Sequence, residues 1–309
     1  MADSSRVPSL VRGLLTRVPT PGARADLEAE LVTTKALLRR SRRRRQASRA
    51  EVLRLRDEVK KLRADRDRLR REVRANRSSV RHPFPDHATP SPEVARTIDQ
   101  VTEERLTYLS RENLELLAAV VAEADRAGRP GVVVEAGTAL GGAAIVMAAA
   151  KAPTRPMLVY DVFGQIPPPS ERDGEDVHAR YRKITAGEAH GPAGTTYYGY
   201  RQDLFTEVRE SFARCGLPVE DNAVQLVKGL FSDTIVLDEP VAFAHVDGDW
   251  YESTMTCLER LCPLLSPGGR IVLDDYYAWS GCATAVDEYF AGRPGYRLER
   301  RARLHVVKT

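Results

Sequence analysis

The sequence has few cysteines, and they form no recognisable pattern. Its 309 residues include four cysteines, and no two of them are spaced as a Cys-x-x-Cys pair. Four cysteines cannot cross-link a chain of this length into a disulfide scaffold, and without paired spacing a zinc site is not expected. We therefore expect free thiols and a reducing compartment, the cytoplasm.

Long apolar runs are missing as well. The longest apolar stretch, residues 131–150, contains Glu135 and the Gly141–Gly142 pair, which a bilayer-spanning helix has no reason to carry. Residues 1–22 offer only two apolar pairs between arginines, too little for the hydrophobic region of a signal peptide. We expect neither a membrane span nor a targeting segment. The hydrophobic content of 42% still provides for a core, which excludes a wholly disordered chain.

Glycine, proline and aromatic residues are absent from residues 23–82, where charge dominates instead. This segment carries 21 Lys and Arg against 9 Asp and Glu, a net charge of +12, whereas the whole chain carries +4. The remainder, residues 83–309, is acidic, with a net charge of −10. This uneven charge distribution predicts two structural units, a basic helical segment and an acidic globular domain.

Apolar residues recur with a seven-residue period through the basic segment. With Val52 at position a, nine of the fourteen a and d positions from Leu27 to Val73 are apolar, which is typical of a coiled coil. Valine at a with leucine at d favours a parallel dimer, and Arg66 at an a position would set the register. We predict a homo-oligomer, most simply a dimer, formed through residues 27–73.

Arginines are densest in the middle of this segment, at Arg39–Arg40 and Arg42–Arg45. Such a run can bind an anionic partner, such as nucleic acid, acidic lipid or acidic polysaccharide. It can equally be a solvated helix face in an arginine-rich sequence, since only 7 of the 47 basic residues are lysines. The segment has no aromatic residues to stack on bases, which weakens the nucleic-acid interpretation.

Strand and helix patterns alternate from residue 91 onward, and residues 296–308 suit closing strands. The alternation predicts an α/β fold with a Rossmann-like, doubly wound, mostly parallel sheet. Residues 165–200 are rich in proline, glycine and charge, and we interpret them as an insertion or lid. The predicted strands are Val132–Glu135, Met157–Asp161, Ala223–Lys228, Val241–Asp247 and Gly269–Asp274. The predicted segments are a flexible N-terminus at 1–22, a basic coiled coil at 23–78, a linker at 79–92 and the globular domain at 93–309.

Acidic residues end most of the predicted strands. Ligands of doubly wound sheets bind at the carboxyl ends of the strands, so these residues indicate a site. The turn from Glu135 to Gly142 is glycine-rich, and Asp161 lies 26 residues beyond Glu135, where an acid can bind ribose hydroxyls. Gly137 is not followed by a glycine at 139, as the phosphates of a dinucleotide would favour. S-adenosylmethionine, which has no phosphates, therefore suits the turn better than NAD, although binding of NAD stays an open alternative.

Residues 104–292 resemble the macrocin O-methyltransferase family, the metal-dependent sugar methyltransferases of macrolide and aminocoumarin biosynthesis. The most specific blocks are HVDGDWYEST at 245–254 and PGGRIVLDDY at 267–276, with support from residues 160–167 and 227–234. The sequence differs from the family in the insertion and after Gly137, where the family usually has an aromatic residue. These differences leave the acceptor open.

The resemblance implies a class I methyltransferase fold that uses S-adenosylmethionine and a divalent cation, usually Mg²⁺, to methylate a sugar hydroxyl. The cation ligands would be Asp247, Asp274 and Asp275, with Asp247 also the general base. His245 is a second catalytic candidate, because alternation along a strand places it on the same face as Asp247. Asp249 suits a turn residue beside a glycine.

Cofactor-binding and substrate-binding candidates follow from the same blocks. Those for the cofactor are Glu135, Gly137, Thr138, Gly141, Gly142, Asp161, Lys228 and Asp247. Those for the sugar are Tyr251, Tyr276 and Trp279, although core packing would explain aromatic residues equally well. Two other functions stay open: a catechol-type methyltransferase with the same cation chemistry, and a coiled-coil scaffold carrying an inactive methyltransferase fold.

Overall fold

A computed structural model describes residues 21–79 and 89–309, and the chain divides into two compact units at residue 74. The described residues of the first unit belong to one helix, α1 (Pro21–Ser79), which is 59 residues long and continues past residue 74. Beyond Gly22, neither glycine nor proline interrupts it, so every peptide unit can join the helical hydrogen-bond ladder. The predicted flexible N-terminus and linker lie largely outside the described residues.

The apolar side chains of α1 are exposed. Val52, Leu55 and Val59, at consecutive a and d positions, are 46–49% exposed, and the arginines of the central run are exposed too. The prediction of a helix is confirmed, whereas the coiled coil stays a prediction. None of the helices in the described ranges is both long enough and apolar enough to cross a membrane.

The second unit contains a seven-stranded sheet with the strand order β3-β2-β1-β4-β5-β7-β6. The five strands from β3 to β5 run parallel, and β7 pairs antiparallel with both β5 and β6. The strands are β1 (Val132–Ala136), β2 (Met157–Asp161), β3 (Val224–Lys228), β4 (Val241–Val246), β5 (Leu265–Leu273), β6 (Tyr296–Arg300) and β7 (Leu304–Lys308). The doubly wound, mostly parallel sheet is thus confirmed, including the closing antiparallel pair.

Helices cover both faces of this sheet. The core on one face involves α2, α3, α4 and α6, and the core on the other involves α8 and α9. Serine side chains cap two of the helices: Ser91 accepts the Val94 N–H of α2 at 3.2 Å, and Ser110 caps α3. The helices are α2 (Pro92–Glu103), α3 (Arg111–Arg126), α4 (Gly142–Ala150), α5 (Glu175–Thr185), α6 (Leu204–Arg214), α7 (Phe231–Thr234), α8 (Tyr251–Leu261) and α9 (Ser280–Phe290).

The predicted insertion at 165–200 is a folded substructure that contains α5. Two of its aspartates bind the first turns of the helices that follow the central strands. Asp173 accepts the Tyr251 N–H at the start of α8 at 2.9 Å, and Asp176 accepts the Ser280 N–H at the start of α9 at 3.1 Å. Carboxylates are favoured at such helix ends, so the insertion is attached beside the carboxyl edge of the sheet.

Glu299 is the centre of an ion-pair network at the closing strands. Its carboxylate accepts hydrogen bonds from Arg270 at 2.7 Å and from Arg301 at 2.6 Å, and Arg297 pairs with it at 2.9 Å. Its side chain is 11% exposed. Burial would raise the pKa of Glu299, but the hydrogen bonds from Arg270 and Arg301 outweigh it and lower the pKa from 4.5 to about 2.

We predict that Glu299→Gln lowers the free energy of unfolding near neutral pH by about 2–3 kcal/mol. A carboxyl group with a lowered pKa stabilises the fold above its unfolded pKa, and this contribution disappears as the pH falls. The difference between wild type and variant should therefore shrink from pH 4.5 towards pH 2, as measured by urea unfolding. Glu175→Gln, at an exposed pair with Arg182, is the control and should change little. A pH-independent difference would contradict the prediction.

Candidate active site

The glycine turn after β1 touches the loop after β4. Gly137 has a φ of +91°, and a Cβ atom there would lie 1.9 Å from the carbonyl oxygen of Asp247. The Asp247 N–H donates to the carbonyl of Ala136 at 2.9 Å, so the two segments lie side by side. Gly141, with a φ of +87°, is the N-cap residue immediately before α4. Only glycine combines this backbone conformation with so close an approach.

Asp161, at the end of β2, fixes the same turn. Its carboxylate accepts the N–H groups of Thr138 at 2.8 Å, Ala139 at 3.0 Å and Phe163 at 2.7 Å. Burial raises the pKa of Asp161 to about 6, although the three hydrogen bonds lower it. A carboxylate has about four acceptor positions, so three bonds leave capacity for one further donor. Asp161 also lines a cavity.

Glu135 lies beneath the turn, where both of its carboxylate oxygens have partners. One accepts the Thr138 hydroxyl at 2.7 Å, and the other lies 3.1 Å from Nδ1 of His245. The register places Glu135 of β1 opposite His245 of β4. The side chain of His245 is 1% exposed. His245 is therefore a buried partner of Glu135 and is not among the residues that line the cavity described below, and its catalytic role stays a prediction.

Three carboxylates meet at the ends of β4 and β5. Oxygens of Asp247, Asp249 and Asp275 lie within 4.8 Å of one another. The two strands are parallel neighbours with Val246 opposite Leu273, so the residues that follow them reach the same edge. Asp249 has a φ of +58°, and its N–H donates to the Asp275 carboxylate at 2.9 Å. We call these three residues the carboxylate cluster.

Burial and mutual repulsion both favour the neutral forms in this cluster. Burial, with the neighbouring charge of Asp275, raises the pKa values of Asp247 and Asp249 well above 3.8. Burial, with the charge of Asp274, raises the pKa of Asp275 to about 6. Like charges this close are stable only with bound protons or a cation. Carboxylate oxygens are also the donors that hard divalent cations prefer, so this donor set fits Mg²⁺.

Asp274, a predicted cation ligand, lies outside the carboxylate cluster, and its role as a ligand stays a prediction. Its carboxylate accepts Nε–H of Arg303 at 2.5 Å and lies 3.8 Å from Nε2 of His245. Burial alone would raise the pKa of Asp274, but His245 and Arg303 lower it below 3.8. Asp274 and Asp275 lie in a bend that follows β5, and of the two only Asp275 belongs to the carboxylate cluster. Asp249, expected to be a turn residue, occupies the third position.

A cavity of about 340 Å³ opens beside the cluster. Its polar wall includes Asp161, Asp247 and Asp249, and most of its other lining is apolar. The Trp250 indole N–H donates to the carbonyl of Pro167 at 2.9 Å, which holds part of the insertion over the cavity. The insertion contributes Ile166, Pro167, Pro168, Ser170, Asp173 and Tyr198 to the lining.

Only one of the three predicted substrate residues lies at this site. The Trp279 ring packs edge-to-face on Trp250 at 5.8 Å, and its side chain hydrogen-bonds to Asp249. Tyr251 instead donates its hydroxyl to Glu288 at 2.8 Å, and Tyr276 donates to Asp287 at 2.8 Å. Both acceptors belong to α9, and neither tyrosine lines the cavity, so their role in substrate binding stays a prediction.

The remaining residues predicted to bind the cofactor lie either in the glycine turn or at the protein surface. The Gly142 N–H donates to the carbonyl of Leu106 at 2.9 Å, which brings the segment before α3 against the glycine turn. Lys228 ends β3 with an exposed side chain. Tyr198, at the cavity wall, was not among the candidates. Its Tyr-Tyr-Gly-Tyr context is visible in the sequence, but no spacing rule places an insertion residue over a strand end.

The profile of the family described as macrocin O-methyltransferase (TylF) matches residues 54–294. A Streptomyces olivaceus protein, 8-demethyl-8-(2,3-dimethoxy-alpha-L-rhamnosyl)-tetracenomycin-C 4′-O-methyltransferase, is 37% identical over 174 residues, which cover 54% of this chain and 60% of the relative. Demethyldecarbamoylnovobiocin O-methyltransferase of Streptomyces niveus is 32% identical over 60% of this chain and 68% of its own length. The solved O-methyltransferase NovP superimposes with a TM-score of 0.53 at 28% identity, over 65% of this chain and 81% of NovP.

We predict that Gly137→Ala is far more destabilising than Gly187→Ala. Both positions have a positive φ, but a Cβ at Gly187 would meet nothing within 4 Å, whereas one at Gly137 would collide with the Asp247 backbone. The shared strain should cost about 1 kcal/mol, and the collision should add about 1–3 kcal/mol at Gly137 alone. Thermal unfolding of both variants checks the difference, and equal losses would show that the close contact is unimportant.

Proposed function

This chain belongs to the macrocin O-methyltransferase family, and we propose that it methylates a hydroxyl group of a sugar-containing acceptor, with S-adenosylmethionine as methyl donor and a divalent cation, Mg²⁺, as auxiliary. The observation that carries this proposal is the carboxylate cluster, which shares a cavity with Asp161 beside the glycine turn. The named relatives that act on glycosylated natural products support the sugar acceptor.

The glycine turn and Asp161 would hold the cofactor, which supplies an electrophilic methyl group when bound. The turn is already rigid before binding, because Asp161 ties together Thr138, Ala139 and Phe163. The free acceptor position of the Asp161 carboxylate suits one ribose hydroxyl. Gly137 keeps the backbone free of a side chain at this point, and Glu135 acts from beneath by orienting Thr138.

Asp247, Asp249 and Asp275 would hold the cation, which supplies Lewis acidity that makes a sugar hydroxyl easier to deprotonate. A neutral sugar hydroxyl is a poor nucleophile near neutral pH, so a base must still take its proton. We assign this role to Asp247, because it lines the cavity next to the other members of the carboxylate cluster. Trp279 would orient the acceptor from the opposite side by its contact with Asp249.

We predict that the purified protein transfers label from S-adenosylmethionine to a glycan or glycoside extract only when Mg²⁺ is present. EDTA should abolish the transfer, and added Mg²⁺ should restore it. Asp247→Asn should slow turnover by about two to four orders of magnitude at saturating Mg²⁺, the usual loss for a missing general base. Full activity in EDTA would refute the cation. Labelling of a catechol in place of a glycoside would refute the sugar acceptor, and no labelling would favour a scaffold.

The variants Asp249→Asn and Asp274→Asn distinguish the two possible ligand sets. Asp249 belongs to the carboxylate cluster, whereas Asp274 is engaged by Arg303. Calorimetric titration with Mg²⁺ should therefore show a large loss of affinity for Asp249→Asn and a smaller one for Asp274→Asn. The reverse order would restore the ligand set expected from the sequence.

We also propose that α1 joins two copies of the chain in a parallel coiled coil. The exposed stripe of Val52, Leu55 and Val59 supports this, because isolated helices do not keep regular apolar stripes in water without a partner. The arginines near its middle would then be on the surface of the dimer.

We predict that Leu55→Glu converts the full chain from dimer to monomer, because it places a charge in the predicted seam. Leu53→Glu is the matched control: Leu53 is similarly exposed, at 55% against 47% for Leu55, but lies outside the a and d positions. Sedimentation velocity of both variants and of wild type measures the outcome. A wild-type monomer at high micromolar concentration would refute the dimer.

A further inference from the structure

Arg180, in the insertion helix α5, differs from the neighbouring arginines in its partners. Five arginines between residues 172 and 214 form ion pairs with glutamates: Arg172, Arg182, Arg201, Arg209 and Arg214. Arg180 is half-buried, yet within residues 21–79 and 89–309 no carboxylate lies within ion-pair distance of its guanidinium. Its guanidinium instead lies over the ring of Tyr197.

That contact links Arg180 to the cavity. Its guanidinium carbon lies 5.7 Å from the centre of the Tyr197 ring, within the range of a cation–π contact. Tyr197 packs on Tyr198 at 4.3 Å, and Tyr198 packs edge-to-face on Tyr108 at 6.3 Å. Tyr198 lines the cavity together with Asp249. The ring of Tyr197 therefore connects Arg180 to a residue of the cavity wall.

The electrostatics agree with this placement. Burial raises the pKa of Tyr108 to about 12, while the positive charge of Arg180 acts to lower it. Because no carboxylate in the described ranges forms an ion pair with Arg180, its guanidinium is available to an anion from outside the protein.

We propose that Arg180, held against the Tyr197 ring, binds a carboxylate group beside the part of the cavity wall that Tyr198 forms. A guanidinium presents a planar fork of donors that matches a carboxylate, and stacking on a ring orients that fork. This inference rests on the proposed function, which allows two sources of the carboxylate. One is the methionine portion of the cofactor, and the other is an acidic acceptor sugar, a uronic acid.

Binding experiments on Arg180→Gln separate the two sources. The first arm compares S-adenosylhomocysteine with 5′-methylthioadenosine, which lacks the carboxylate, by calorimetry. If the cofactor supplies the carboxylate, the variant should bind S-adenosylhomocysteine about 10- to 100-fold more weakly, the usual effect of losing a charged hydrogen bond, and bind 5′-methylthioadenosine unchanged. The second arm compares D-glucuronate with D-glucose. If the acceptor supplies it, the wild type should prefer D-glucuronate, and Arg180→Gln should lose that preference.

Arg182→Gln is the matched control, since Arg182 lies on the same helix and pairs with Glu175 at the surface; it should change neither comparison. Arg180→Lys, which keeps the charge, should recover part of the lost affinity. The proposal is overturned if Arg180→Gln leaves the ratio of the two nucleoside affinities unchanged and no glucuronate preference depends on Arg180. A wild type that binds no S-adenosylhomocysteine would instead contradict the proposed function, and the sugar arm would still test Arg180.

Discussion

Mutual repulsion within the carboxylate cluster is the constraint around which the site is built. Asp247, Asp249 and Asp275 are held within 4.8 Å of one another, and their charges oppose this arrangement. Sheet pairing between β4 and β5 enforces it, together with the left-handed backbone at Asp249 and its N–H bond to Asp275. The hydrogen bonds of the central strands thus oppose the repulsion between the carboxylates. Bound protons or a bound cation would relieve this repulsion.

Behind the cluster, groups of alternating charge connect four neighbouring strands. Glu135 of β1 contacts His245 of β4, which lies near Asp274 at the end of β5, which in turn accepts from Arg303 just before β7. Burial lowers the pKa of His245, but its two acidic neighbours outweigh this and raise the pKa to about 9. A positively charged imidazole between two carboxylates is electrostatically favourable, although only Nδ1 is hydrogen-bonded and Nε2 lies 3.8 Å from Asp274. This series of contacts continues from Glu135 to the Thr138 hydroxyl in the glycine turn. The same buried groups therefore support the turn and lie behind the cluster.

The sequence predicted what depends on local pattern and on the order of strands. The strands, the glycine turn and the meeting of the β4 and β5 ends followed from valine-rich runs and from the rule for parallel sheets. The sequence did not reveal that Asp249 joins Asp247 and Asp275 while Asp274 is engaged by Arg303, because that depends on the backbone beyond the last paired residue. The burial of His245 could not be predicted either, since alternation assigns a residue to a face of the sheet but does not say how deeply that face is buried. Nor did the sequence show that the Tyr251 hydroxyl donates to Glu288 of α9.

The insertion is attached to the carboxyl edge of the sheet independently of the carboxylate cluster. Asp173 and Asp176 cap α8 and α9, the helices that follow the segments carrying Asp249 and Trp279. These capping bonds fix the insertion to the edge without using any residue of the carboxylate cluster. The side of the insertion that lines the cavity, which includes Tyr198, can therefore vary in sequence while the strand ends keep their positions, because loops tolerate substitutions that a paired sheet does not.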